Sequence, residues 1–243
     1  MAMAFVWKKL RQDPIGTVKR AWEKLVAGRL RYGRKGDYDA SRYWRDRFSR
    51  YGTSLQGAGD EGLAQAENEQ EYAKAAELFR KLVADSGIDF GDGRTLEIGC
   101  GPGFYTKLMV SLGARDLVAY DITDVLFSEL RAQVPNVELR QGDITALPVE
   151  GTYDRAVMID VLEHIVNEEK LASGMRNVVN ALGPNARFVV GPVVKRPRGR
   201  RHLYYVRFWT VDDLRRALPE WEPERRVDFR DGELLVLRRT TAP

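Results

Sequence analysis

The sequence predicts an α/β fold: a doubly wound, mostly parallel seven-stranded sheet with a C-terminal antiparallel β-hairpin, preceded by an N-terminal helical extension. Three observations lead there. From residue 65 onward, short apolar runs alternate with segments of helical period, the pattern of successive βα units. The first apolar run breaks into glycines at alternate positions, Gly99, Gly101 and Gly103, directly ahead of a helix-like segment. At the other end, Arg225 to Phe229 and Leu234 to Leu237 flank Asp231-Gly232, and two strands around such a turn pair antiparallel. With 243 residues, 44% of them hydrophobic, the chain buries one sizeable core. The expected division is residues 1–64 as a basic amphipathic helix and lid region and 65–243 as the main domain.

Asp13-Pro14 is a helix start, an N-cap acid with proline at the first helical position. Ile15, Val18, Trp22, Leu25 and Val26 then recur at helical spacing, with Lys19, Arg20 and Lys24 off that stripe. Such a face packs on its own domain, on a partner, or, through residues 14–30, on an anionic membrane surface. Tyr43-Trp44-Arg45-Asp46-Arg47-Phe48 and the glycine-rich stretch after it read as a mobile cover. The same mixture of aromatic and basic residues is also able to stack on bases. Tyr72, Ala75, Phe79, Leu82 and Val83 mark a helix within residues 64–86 that packs on the sheet.

The core elements follow in order. Arg94 to Ile98 is a buried strand, and the glycines behind it bring backbone amides close to a ligand without Cβ obstruction. The third position of a dinucleotide fingerprint is occupied by Phe104, with Pro102 inside the loop, so a nicotinamide site fits poorly. Asp116 to Asp121 is a strand ending in an acid 18 residues after Gly103, where a carboxylate accepts both hydroxyls of a ribose. Val137 to Ile144 is a strand running into Gly142-Asp143, also a turn signal in its own right. Tyr153 to Asp160 delivers Asp160 to the carboxyl edge, and Glu163 and His164 follow at once. A helix over 168–182 and a fifth strand at Arg187 to Val190 lead into the basic stretch Lys195 to His202, which captures an anion or is solvated. Thr210 and Asp213 have the spacing of a capping box.

Glu97 followed by Gly-x-Gly-x-Gly, with acids at the next two strand ends, resembles the class I S-adenosylmethionine-dependent methyltransferases. The resemblance covers roughly residues 65–243 and implies a Rossmann-like fold with S-adenosyl-L-methionine as cofactor. It implies that Glu97, Gly99, Gly101 and Gly103 hold the methionine end, Asp121 and Ile122 the ribose, and Asp143 and Ile144 the adenine, with Asp160 beside them. His164 is the candidate general base, because an imidazole titrates near neutrality, and His202 is a second candidate. Asp160, Glu163 and His164 also resemble the acid-x-x-Glu-His motif that holds a divalent metal in ubiquinone-biosynthesis and small-RNA methyltransferases. The metal is the minority expectation, since many small-molecule methyltransferases share the ending without one.

Charge is divided along the chain. Residues 1–52 carry 14 Lys/Arg against 5 Asp/Glu, residues 53–192 carry 12 against 22, and residues 193–243 carry 13 against 8. The basic ends therefore suit an anionic or membrane-associated partner. One cysteine, Cys100, excludes an internal disulfide framework and fits a reducing, cytoplasmic setting. The expected activity is O-methylation of a small-molecule, lipid or sugar intermediate. RNA 2′-O-methylation is the second expectation, a catalytically silent cofactor-binding module the third and a nicotinamide oxidoreductase the last.

Overall fold

In the computed structural model, residues 16, 18, 21–195 and 203–240 are described. The predicted helix start at Asp13-Pro14, the stretch 196–202 and with it His202 lie outside the described residues.

Seven strands form one sheet: β3 (Arg94–Ile98), β4 (Asp116–Asp121), β5 (Glu138–Gln141), β6 (Tyr153–Ile159), β7 (Leu182–Val193), β8 (Trp221–Phe229) and β9 (Gly232–Arg239). Their order is β5-β4-β3-β6-β7-β9-β8. The first five are parallel, whereas β9 pairs antiparallel with both β7 and β8. The chain leaves β3 in one direction for β4 and β5 and returns to its other side at β6, so a crevice opens between β3 and β6 at their carboxyl ends.

Period-two alternation sorts each strand's side chains into two cores. Ala156 and Met158 of β6 face the helices α7 (Glu168–Asn180) and α8 (Val211–Ala217). Val157 and Ile159 face α4 (Gln65–Asp85), α5 (Phe104–Ser111) and α6 (Phe127–Gln133). Helices thus cover both faces, as the near-continuous apolar strands require. The caps are local. Asn167 Oδ1 accepts from Lys170 N at 3.0 Å to start α7, and Thr210 with Asp213 forms the predicted capping box of α8.

Two elements differ from the sequence expectation. β7 is 12 residues long rather than the four predicted, because its register shifts twice along its neighbours. The hairpin loop is Arg230-Asp231, one residue earlier than expected, with Arg230 at φ +51°. Gly232 belongs to β9, where a Cβ would collide with the Val193 carbonyl, so this glycine serves close strand approach rather than the turn.

The N-terminal segment adds a π-helical turn (Glu23–Ala27), α1 (Gly28–Tyr32), the two-residue strands β1 (Gly33–Arg34) and β2 (Asp37–Tyr38), α2 (Ala40–Tyr51) and α3 (Leu55–Ala58). Tyr32, Tyr38 and Tyr43 pack with Val166 and Tyr205 in a third apolar cluster. Arg47 ties α2 to the turn behind it: Nε donates to the Gly57 carbonyl at 2.5 Å and an Nη to the Gly59 carbonyl at 2.7 Å.

Candidate active site

The glycine loop leaves β3 with backbone dihedrals that side chains resist. Gly99, Gly101 and Gly103 have φ of +76°, +46° and +79°. A Cβ on Gly99 would collide with Val161, and one on Gly101 would stand 3.3 Å from Phe48 Cζ in the crevice. These two positions line a cavity that is open to solvent. Gly103 does not line it. A Cβ there would collide with Leu130 of α6, so the third glycine lets α5 start close against its neighbour. Glu97 is likewise displaced from its expected place at the ligand. It is buried beneath the loop, and Thr106 Oγ1 donates to its Oε2 at 2.6 Å, which ties β3 to the first turn of α5. Burial pushes the Glu97 carboxyl up to about 8.

Asp121, at the end of β4, lines the cavity with Ile122. Its Oδ2 accepts from Gly101 N at 2.9 Å and its Oδ1 from Thr123 N at 3.0 Å, so the carboxylate is clamped by backbone amides. Burial still outweighs these bonds and raises the group to about 6. Asp143 and Ile144 lie across the cavity beyond β5. Asp143 Oδ1 accepts from both Thr145 N and Thr145 Oγ1, at 2.8 and 2.7 Å.

The fourth strand ends differently. Asp160 adopts φ +59°, an uncommon conformation for a residue with a side chain, and Arg230 donates to its Oδ2 at 2.6 Å from the hairpin loop. The Arg230 guanidinium also lies 4.9 Å from the Tyr72 ring centroid. Three buried polar atoms lack a partner here: Asp160 Oδ1, Glu163 Oε2 and the Tyr105 hydroxyl. Burial raises both carboxyls, Glu163 to about 8, while Arg230 partly offsets the rise at Asp160. Buried polar groups are seldom left unmade, and an orphan set at one end of a cavity suits the polar head of a ligand. Asp160, Tyr72 and Tyr105 line that end.

His164 closes the 3₁₀ turn Leu162–His164 and lines the same cavity. Its Nδ1 is 3.0 Å from the Tyr205 carbonyl, which only accepts, so Nδ1 carries the proton and Nε2 keeps a lone pair. The ring meets Trp44 edge-on at 4.8 Å and stacks on Tyr205 at 6.2 Å. Burial lowers His164 to about 4, so the imidazole is neutral at physiological pH. The metal triad is not assembled: Asp160 is engaged by Arg230, while the His164 ring packs between Trp44 and Tyr205. Among the described residues, no group of three His, Cys, Asp or Glu side chains is placed to hold a cation.

The remaining wall comes from Asp37, Tyr38, Ala40, Trp44 and Phe48 of the N-terminal segment. Asp37 pairs with Lys170 Nζ at 2.7 Å, and Tyr38 donates to the His164 carbonyl at 3.1 Å, so the cover is fastened to the core beside the cavity. Sequence reasoning singled out Trp44 but missed Arg230, Tyr72 and Lys170 as members of this site. Tyr72 sat in an apolar helical stripe, and Arg230 reaches Asp160 across 70 residues of chain. The absence of a local signal is complete for Arg230, whose neighbours spell only a hairpin.

Residues 95–185 match the family described as "Methyltransferase domain". The match lies within less than half of the chain and covers the glycine loop and the strands β3 to β6. The chain is 30% identical over 79 residues to a probable S-adenosylmethionine-dependent methyltransferase of Mycolicibacterium smegmatis, covering 32% of this chain and 30% of that one. It is 28% identical over 93 residues to an uncharacterized methyltransferase-like protein of Schizosaccharomyces pombe, covering 38% and 35%. The matches thus span about a third of the length of these curated relatives. Among solved structures, the Burkholderia thailandensis 1,6-didemethyltoxoflavin-N1-methyltransferase, with bound 1,6-didemethyltoxoflavin and S-adenosylhomocysteine, is similar with a TM-score of 0.61. The identity there is 19%, over 83% of this chain and 89% of that one, so the likeness is one of fold.

Proposed function

We propose that this protein transfers the methyl group of S-adenosyl-L-methionine to an oxygen of a small-molecule acceptor. The observation that carries the reading is one cavity joining the side-chain-free faces of Gly99 and Gly101, the clamped Asp121 and the unpartnered polar atoms of Asp160 and Tyr105. When bound, S-adenosylmethionine supplies an electrophilic methyl carbon on a sulfonium.

The residues divide the ligand between them. Asp121 accepts the ribose hydroxyls through its remaining lone pairs, and Asp143 with the Ile144 amide takes the adenine edge. Asp160 and Tyr105 meet an ammonium group, with Arg230 balancing the Asp160 charge, so the polar end suits the amino group of an amino-acid head. Gly99 and Gly101 admit the chain between these ends. Trp44, Phe48 and His164 then bound the space left for the acceptor, with residues 1–64 acting as the cover and 65–243 as the catalytic domain. His164 Nε2 is a hydrogen-bond acceptor that orients an acceptor hydroxyl and takes its proton as the oxygen–carbon bond forms. Because burial holds the imidazolium acidic, near 4, this base is matched to an acidic hydroxyl such as a phenol or enol. The chain's contribution is otherwise alignment, which turns a bimolecular displacement into a step within one complex.

A small acceptor is supported by the apolar, aromatic wall of the cavity and by the small-molecule substrate named for the Burkholderia protein. The test is a panel of phenols, enols, carboxylates and sugars with radiolabelled S-adenosylmethionine, run on the wild type and His164→Ala. The reading predicts turnover on acidic hydroxyls, lowered about 100-fold or more in His164→Ala with cofactor affinity kept. Unchanged turnover in the variant removes the base, and no label in any acceptor removes the activity.

A further inference from the structure

An apolar helical face stands outside all of this. Val18, Trp22, Leu25, Val26 and Leu30 recur at spacings of four, three, one and four residues and lie on one side of the N-terminal helical segment. None packs on the domain: Trp22 is 57% exposed, Leu25 58% and Leu30 79%. Single exposed leucines are ordinary, but a contiguous row of five large apolar side chains with a tryptophan is not.

The charged residues lining the groove beside this face are all basic. Leu25, Val26 and Leu30 share a shallow groove with Arg29, Arg34 and Lys35. Arg31 pairs with Glu23 and Arg34 with Asp39, whereas Arg29 and Lys35 form no ion pair with any described residue. Fourteen Lys/Arg against five Asp/Glu lie within residues 1–52, in a chain whose middle is acidic. Tryptophan and leucine on one side of a helix, with long basic side chains able to bury their stems and raise their charges, is the composition of an interfacial helix. No helix among the described residues is long and apolar enough to cross a membrane.

We infer that this face docks the protein on an anionic lipid bilayer, with the helical segment lying in the plane of the headgroups. The placement is coupled to the site. The groove ends at Lys35, and Asp37 and Tyr38, two and three residues on, already line the cavity wall. At about 3.3 Å per residue the membrane surface would lie within roughly 10 Å of that wall. The docking rests on exposure and charge alone and stands whether or not methyl transfer is the activity.

The test is flotation of the full chain with phosphatidylcholine vesicles and with vesicles containing 30% phosphatidylglycerol, at low and high salt. Trp22→Glu/Leu30→Glu is run beside the wild type, its thermal midpoint serving to show an intact fold. The wild type is expected to float at least tenfold more with anionic than with neutral vesicles, less so at high salt, and the variant to lose that binding. Equal flotation of the variant, or no flotation of the wild type above the neutral background, overturns the proposal. A wild-type dimer that the variant dissolves, without flotation, assigns the face to a second copy and overturns it equally. Retained vesicle binding with no methyl transfer leaves the docking standing and removes only the proposed activity.

Discussion

The carboxyl ends of β4 and β6 each deliver one aspartate to the same cavity, Asp121 buried and Asp160 partly so, and the two are held in opposite ways. Asp121 is clamped by Gly101 N and Thr123 N, groups within 20 residues of it, and it needs no counter-charge. Asp160 sits at φ +59° with one oxygen unpartnered, and its charge is balanced by Arg230 from the far hairpin. The first aspartate is a product of its own βα unit. The second exists only when the whole sheet has closed. The difference teaches that the Asp121 end of the cavity is held by contacts close in sequence, whereas the Asp160 end depends on a contact across 70 residues and keeps one carboxylate oxygen unpartnered.

The largest effect that would break this comparison concerns Arg230. Removing it leaves a buried carboxylate without its partner, so Arg230→Met should lose about 3 kcal/mol in urea unfolding. Asp160→Asn in the same chain should restore most of that loss, and equal stability of Arg230→Met and wild type would deny the pairing. Gly103→Ala sharpens the local side. A side chain at φ +79° and in collision with Leu130 should lower stability by about 2 kcal/mol, read as a fall in thermal midpoint. Because Gly103 does not line the cavity, the folded fraction should keep its cofactor affinity.

The pH dependence separates the two ends further. Asp121 is raised to about 6, and in the proposed reading its ionised form accepts the ribose hydroxyls. Affinity for S-adenosylhomocysteine should therefore be level above pH 6 and weaken below it, approaching about tenfold per unit. Calorimetric titrations between pH 5 and 8 would check this. Glu97 governs stability instead. Its folded value, about 8, lies above its ordinary 4.5, so the folded chain holds the extra proton between those limits. From this group stability should then fall as pH rises from 4.5 through 8, by at most about 1.4 kcal/mol per unit. Glu97→Gln should remove its share of the slope in the ligand-free protein and leave that of Glu163, which burial also raises to about 8.

Much of the local end was legible in the sequence. Three glycines at alternate positions, an acid at the next strand end and Gly142-Asp143 each carry their signal within a few residues. All of that set but Gly103 line the cavity, and Glu97, two residues before the first glycine, does not. Those two act one layer below it, a distinction that spacing alone does not make, since both positions share the strand and loop with the lining residues. The sheet and its antiparallel close were legible for the same local reason. Arg230 was not, because its partner is fixed by where a hairpin loop meets a strand end, and that is a property of register. The length of β7 escaped for a related cause: its extra residues pair through two register shifts that depend on β6 and β9.

One measurement bears on the central claim most directly. Isothermal titration of the full chain with S-adenosylhomocysteine and with NAD, repeated on Asp121→Ala, asks whether the clamped aspartate selects the nucleoside. The account predicts saturable binding of S-adenosylhomocysteine, no binding of NAD, and an affinity for S-adenosylhomocysteine at least about 100-fold weaker in Asp121→Ala, as expected for two lost hydrogen bonds to a charged acceptor. Binding of S-adenosylhomocysteine that survives unchanged in Asp121→Ala, or binding of NAD in its place, would contradict it.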